Sequence, residues 1–192
     1  MKKIVLTFGL ISGAIMSGLM TVIMVFAHQT DPGRGMIIGY TIMVLSFLLV
    51  FFGIRSYREN VGNGYISFGR ALGVGFLIMF ISCVCYVATW EVVYHKFMPD
   101  FGEKYLAKSI ERERASGKSP QQIEAEIESM RSMMQLYNSN IFFNIALTFL
   151  EPLPPGLVMT FISALILRKR RRQEQDLHGF QDAVKETSVN PV

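Results

Sequence analysis

Charge is what this chain has little of. Asp, Glu, Lys and Arg make up 18% of its 192 residues against 51% hydrophobic residues, a balance foreign to an ordinary soluble domain of this size. Histidine is rarer still: His28, His95 and His178 are scattered over different segments. No G-x-S-x-G, H-E-x-x-H or P-loop pattern occurs, so an enzyme has no support. Gly73-Val74-Gly75 has no third glycine at Ile78 and no strand before it, which removes a dinucleotide loop, and no other cofactor or metal site is indicated. The two cysteines, Cys83 and Cys85, lie in one apolar block. At a spacing of two they point to different sides of a helix and read as small hydrophobes. The net charge of +4 could suit nucleic acid, yet a basic run, Arg168, Lys169, Arg170, Arg171 and Arg172, directly follows an apolar stretch. That placement belongs to a membrane boundary and excludes a nucleic-acid footprint.

What is present is long apolar runs. A membrane helix needs about 20 apolar residues, at 1.5 Å of rise each, to cross roughly 30 Å of hydrocarbon. Ile4 to Ala27, Met36 to Ile54 and Ala71 to Trp90 contain no charged residue. A fourth block, Ile141 to Leu167, carries Glu151 and then Pro152, Pro154 and Pro155, so it must kink or break. None of the blocks alternates with a period of two, which excludes membrane strands. The first block follows Lys2 and Lys3 and ends in Val25-Phe26-Ala27, a passable signal-peptide cleavage site. It is longer than the usual apolar core of about 7 to 15 residues, so it is expected to be retained as a helix. The expected architecture is all-α and multi-pass. A four-helix membrane domain occupies 1–172, with spans at 4–27, 36–54, 71–94 and 141–167.

Basic residues sort by side. Lys2 and Lys3, then Arg55, Arg58 and Arg70, then Arg168 to Arg172 flank the spans at one end, which predicts cytoplasmic N- and C-termini. The link from His28 to Gly35 and the longer one from Glu91 to Asn140 lack such a bias and fall outside. Between the third and fourth spans, about 99–138, an amphipathic helical hairpin is expected to turn at Ser116-Gly117-Lys118, with Gly117 in the C′ position. Ser119, Pro120 and Gln122 form a capping-box pattern before Ile123, Ile127, Met130, Met134 and Tyr137 on one face. That stripe needs a partner. Phe101, Tyr105 and Ile110 could supply one within the chain, and the membrane surface or another envelope protein are the alternatives. Residues 173–192 lack a sustained apolar pattern and read as a flexible cytoplasmic tail.

Glu151 is the leading candidate for an ion, proton or structural polar site, because a carboxylate within a span costs about 2.5 to 3.5 kcal/mol and is rarely left facing lipid. Counting back from Leu167 puts it roughly 24 Å from the cytoplasmic boundary, in the outer leaflet. The proline after it also suits a helix restarting there, with Glu151 at the positive end. Glu91 and His95, one turn apart beside Trp90 and Tyr94, form a second polar pair, although two ligands make no specific metal site. Trp90 and Tyr94 themselves read as an interfacial belt. Small residues at Gly9, Gly13 and Ser17, and at Gly69 and Gly73, are candidates for close helix packing, within the chain or between two copies.

Three stretches point further: Tyr65-Ile66-Ser67-Phe68-Gly69-Arg70-Ala71 leading into the third span, Trp90-Glu91-Val92-Val93-Tyr94 closing it, and Phe149-Leu150-Glu151-Pro152 in the fourth. With the four-span layout and charged hairpin, residues 4–170 resemble the bacterial membrane-protein family called domain of unknown function 4199. The resemblance implies a bacterial inner-membrane protein and supplies no activity. Two functional expectations remain. One is a non-enzymatic component that binds lipid, a second copy or another envelope protein through the hairpin. The other is a small transporter or channel using Glu151 and Glu91.

Overall fold

A computed structural model describes residues 1–26 and 32–169, and side chains at 1–23 and 35–169. Every regular element among the described residues is a helix. The elements run α1 (Lys2–Phe26), α2 (Pro32–Asn60), α3 (Phe68–Val92), α4 (Phe101–Arg114), α5 (Pro120–Ser139), α6 (Ile141–Leu150) and α7 (Leu153–Leu167). A single π-helical turn, Val93–Phe97, prolongs α3. Four stretches are long and apolar enough to cross a membrane: Lys2–Ile23, Gly35–Asn60, Phe68–Phe97 and Ile141–Leu167. Large apolar side chains such as Leu10, Leu45, Val84, Phe161 and Ile166 are exposed around them. An apolar surface this extensive on one chain belongs in lipid.

The four stretches pack through small residues. At Gly13 an added Cβ would lie 2.6 Å from the Cβ of Cys85, and at Gly9 2.8 Å from that of Ile81, so α1 and α3 approach almost backbone to backbone. Ser82 Oγ donates to Gly9 O at 3.1 Å across this seam, and Ser12 Oγ donates to Ser46 O at 2.9 Å between α1 and α2. Hydroxyls of this kind tie helices together where no water competes. Ser17 is buried too, but its hydroxyl has no partner. Gly69 and Gly73 are a correction. An added Cβ at either meets nothing within 4 Å, so neither makes a close contact among the described residues; Gly75, facing Ile54 and Thr160, and Gly156, facing Met79 and Phe47, do so instead.

Two junctions define the ends of the bundle. At one, Asn63 and Gly64 adopt positive φ of 50° and 84°, turning α2 into α3. Ile66 and Lys169 exchange backbone hydrogen bonds at 3.1 and 3.0 Å, tying this turn to the end of α7. Arg168 and Lys169 are both exposed at that end. Arg170, Arg171, Arg172, the 173–192 tail and residues 27–31 with His28 lie outside the described residues.

The opposite end carries the α4–α5 hairpin. Ala115 caps α4, so Gly117, at φ 75°, stands two residues past the cap instead of one. Ser119 and Gln122 make the reciprocal capping box that starts α5. Lys118 Nζ bridges Glu113 at 2.8 Å and Glu126 at 2.6 Å. The α5 stripe folds back on α4: Ile127 is buried, and an added Cβ at Gly102 would meet Tyr94 Oη and Met134 Sδ.

Candidate functional site

The fourth stretch breaks at Glu151-Pro152. Pro152, Pro154 and Pro155 have no N–H to offer the carbonyls of Thr148, Leu150 and Glu151, so the helical ladder cannot run through them. The helix restarts at Leu153, where the prolines occupy positions whose N–H groups would have no intrahelical partner anyway. Glu151 therefore sits between two helices, as the C-cap of α6 and just ahead of the α7 N-cap, Pro152.

The break redirects the chain. α7 packs closely along α2 and α3, whereas α6 packs on α3 and α5 and has no comparable packing on α2. The space this leaves is a half-open cavity of about 810 Å³ at the hairpin end, lined by α1, α2, α3, α6, α7 and the hairpin. Met16 and Met43 line its deep end, Ile23 and Gly35 its shallow end; seven or eight residues at 1.5 Å each make it roughly 10–12 Å deep. Beneath it Phe47, Ile78 and Met79 are fully buried and fill the bundle.

Glu151 lies on the cavity wall and is exposed to it. Its Oε2 accepts a hydrogen bond from Tyr86 Oη at 3.1 Å. Beside it runs a chain of side-chain hydrogen bonds. Trp90 Nε1 donates to Tyr137 Oη at 2.7 Å, and Tyr137 and Thr148 hydroxyls are 3.1 Å apart. Indole N–H can only donate, which leaves the phenol proton for Thr148, and Thr148 Oγ1 in turn donates to Asn144 Oδ1 at 3.4 Å. Burial pushes the Tyr137 phenol above its ordinary range, so it stays a neutral hydroxyl. Tyr86, Trp90, Tyr137 and Thr148 all reach the cavity.

The model of the family described as protein of unknown function DUF4199 matches residues 7–169. The chain belongs to DUF4199. No curated protein and no solved structure matches it. The three stretches that carry the DUF4199 resemblance fall at three structural junctions: the turn bridged to Lys169, the part of α3 under the hairpin, and the break at Glu151.

Other predicted residues stand apart from the cavity of this DUF4199 chain. Glu91 and His95 do meet, with His95 Nε2 3.2 Å from Glu91 Oε2 and side chains 17% and 48% exposed respectively. Both Glu91 oxygens are buried without a hydrogen bond, and neither residue lines the cavity with Glu151. Among the described residues no three His, Cys, Asp or Glu side chains cluster as metal ligands would. Trp90 and Tyr94 are 9% and 6% exposed, packed under Phe101 and Tyr137. That corrects the interfacial-belt reading: their polar atoms are satisfied by α5, at Tyr137 and Asn138, instead of by interfacial water. Sequence reasoning passed over Tyr86, Thr148 and Asn144. The i, i+4 pair Asn144 and Thr148, polar in an otherwise apolar block, was the available signal.

Proposed function

We propose that this DUF4199 protein is a non-enzymatic component of a bacterial inner membrane that holds an amphiphilic ligand in the cavity at its hairpin end. The observation that carries this reading is the cavity itself: about 810 Å³, at the break at Glu151-Pro152, with the Glu151 carboxylate among methionine and aromatic side chains and Asp100, Lys104 and Lys108 on its hairpin side. Ligand sites are of this size and character, mostly apolar with a few polar groups that set orientation. The poor packing between α6 and α2 provides a lateral opening through which a membrane-dissolved molecule would pass. Lys2, Lys3, Arg55, Arg58, Arg70, Arg168 and Lys169 all lie at the end away from the hairpin, which supports cytoplasmic termini and an outside hairpin.

A second reading, a small transporter, is favoured by the discontinuous helix and its carboxylate. The packed Phe47, Ile78 and Met79 below the cavity and the separation of Glu91 from it weigh against a through path. The hairpin stripe packs in part on α4, which supports an intramolecular use: Ile127 is buried, and Ile123, Met130, Met134 and Tyr137 are half-buried.

Gly39 lines the cavity, and a Cβ there meets nothing within 4 Å. The Cβ of Gly39→Phe therefore meets no described atom, and its ring is expected to occupy part of the cavity. Native mass spectrometry of the detergent-extracted protein is expected to show a retained small amphiphile on the wild type and none on Gly39→Phe. Absence of any adduct on the wild type, or equal retention by the variant, refutes the reading. Flux into proteoliposomes that Glu151→Gln abolishes would instead establish transport.

A further inference from the structure

We propose that the cavity selects a lipophilic organic cation, an alkylammonium whose charged group sits at Glu151 and whose apolar body lies along Met16, Met20 and Met43. The inference rests on the cavity-binding reading and names its ligand class. Three observations carry it. First, Glu151 is the sole acidic residue on the deep part of the wall; the other acidic lining residue, Asp100, belongs to the hairpin and faces Lys104 at 3.7 Å. Second, the hydrogen-bond partner of Glu151 is a neutral phenol, Tyr86, and no cation pairs with its carboxylate among the described residues. A carboxylate in an apolar setting gains most from a counter-cation delivered with the ligand. Third, the rings of Tyr40, Tyr86, Trp90 and Tyr137 line the same space. Aromatic walls around a carboxylate bind ammonium groups through their ring faces while tolerating an alkyl chain.

The commitment is to a net cation without a phosphate. Lys104 and Lys108 also line the cavity, but they belong to α4 of the hairpin, where Lys104 pairs with Asp100, and neither forms an ion pair with Glu151. An anionic group would be drawn to those lysines and a bare ammonium would not.

The test is equilibrium dialysis of the full-length protein in dodecyl maltoside, with protein-free micelles as the blank and four probes of equal chain length: octyltrimethylammonium, octanol, octanoate and octylphosphocholine. Octyltrimethylammonium is expected to bind at one site per chain, at least tenfold tighter than octanol or octanoate. Glu151→Gln is expected to weaken it at least tenfold and leave octanol unchanged. Glu151→Asp, which keeps the charge, should retain the preference for the cation, and unchanged Trp90 emission reports that the variants are folded. Equal affinity of Glu151→Gln and wild type for the ammonium, or equal binding of octanol, overturns the inference. Tighter binding of octylphosphocholine than of the bare ammonium overturns it in favour of a phospholipid headgroup that reaches Lys104 and Lys108. Loss of all four probes in Gly39→Phe with no cation preference in the wild type would leave the cavity reading standing and remove only the ligand class. Binding of every probe unaffected by Gly39→Phe would remove both.

Discussion

The same substitution at two glycines should change stability in opposite directions. Gly13 and Gly73 both lie inside transmembrane-length helices, and Gly→Ala at a helix interior gains about 0.8–1 kcal/mol of helix propensity. At Gly73 an added Cβ finds nothing within 4 Å, so the gain stands and Gly73→Ala is expected to be stabilising. At Gly13 the new atom would lie 2.6 Å from Cys85 Cβ, 3.0 Å from its Sγ and 3.3 Å from Ser82 Cα. The Sγ can turn away, but Cys85 Cβ and Ser82 Cα are fixed by the backbone, so no rotamer change relieves the clash and α1 must move off α3. Overpacking of this kind costs about 1–3 kcal/mol, which leaves Gly13→Ala destabilised by up to about 2 kcal/mol after the propensity gain. Gly156 should fall between them, because its nearest neighbours, Met79 Cγ at 2.7 Å and Sδ at 2.8 Å, belong to a flexible side chain. Thermal unfolding of the three variants in one detergent gives the order. A drop in Gly73→Ala as large as that in Gly13→Ala would refute the reasoning, and concentration dependence of that drop would show that Gly73 packs against a second copy.

Tyr137→Phe removes the acceptor of the Trp90 indole at 2.7 Å. Leaving that buried N–H unpaired should cost about 1–3 kcal/mol in detergent unfolding, and unchanged stability would show that the Trp90-to-Asn144 chain contributes nothing. Ser119→Ala deletes the cap of α5 and should weaken its first turn by about 0.5–2 kcal/mol, visible as faster amide exchange at Gln122 and Ile123. The hairpin turn should also depend on pH. The hydrogen bond from Lys118 holds Glu113 below its ordinary value of 4.5, so its contribution is present above that value and disappears as pH falls through the lower folded-state one. Glu113 and Glu126 hold Lys118 above its ordinary range, so that share is complete at neutral pH and is lost only at strongly alkaline pH. Exchange protection around Ser116 is expected to be constant near neutrality and to fall in acid, and Glu113→Gln should flatten the acid limb; an unchanged limb would contradict the assignment.

Much of the architecture was legible because its cause is local. Uncharged runs such as Ile4 to Ala27 leave few alternatives to a helix in lipid, and the Ser119, Pro120 and Gln122 pattern specifies a helix start through atoms only three residues apart. Pro152, Pro154 and Pro155 announce a break for the same reason: a missing N–H is a property of the residue and needs no neighbour. Membership of DUF4199 was legible in the junction residues as well.

What the sequence could not contain is which face of each helix meets which neighbour. Gly13 and Gly73 are alike as residues in apolar helices, and only the α1–α3 seam makes one crowded and the other open. Trp90 has the sequence setting of an interfacial anchor, yet α5, some 47 residues later, returns to bury it and accept the hydrogen bond of its indole N–H. The kink at Glu151 was readable, but its direction was not. Because α7 stays on α2 while α6 leans to α3 and α5, the carboxylate faces a cavity lined by residues from all seven helices. A helix or its interruption is decided by hydrogen bonds within a few residues of the chain; a cavity is decided by where separate helices fail to meet, which only their packing together determines.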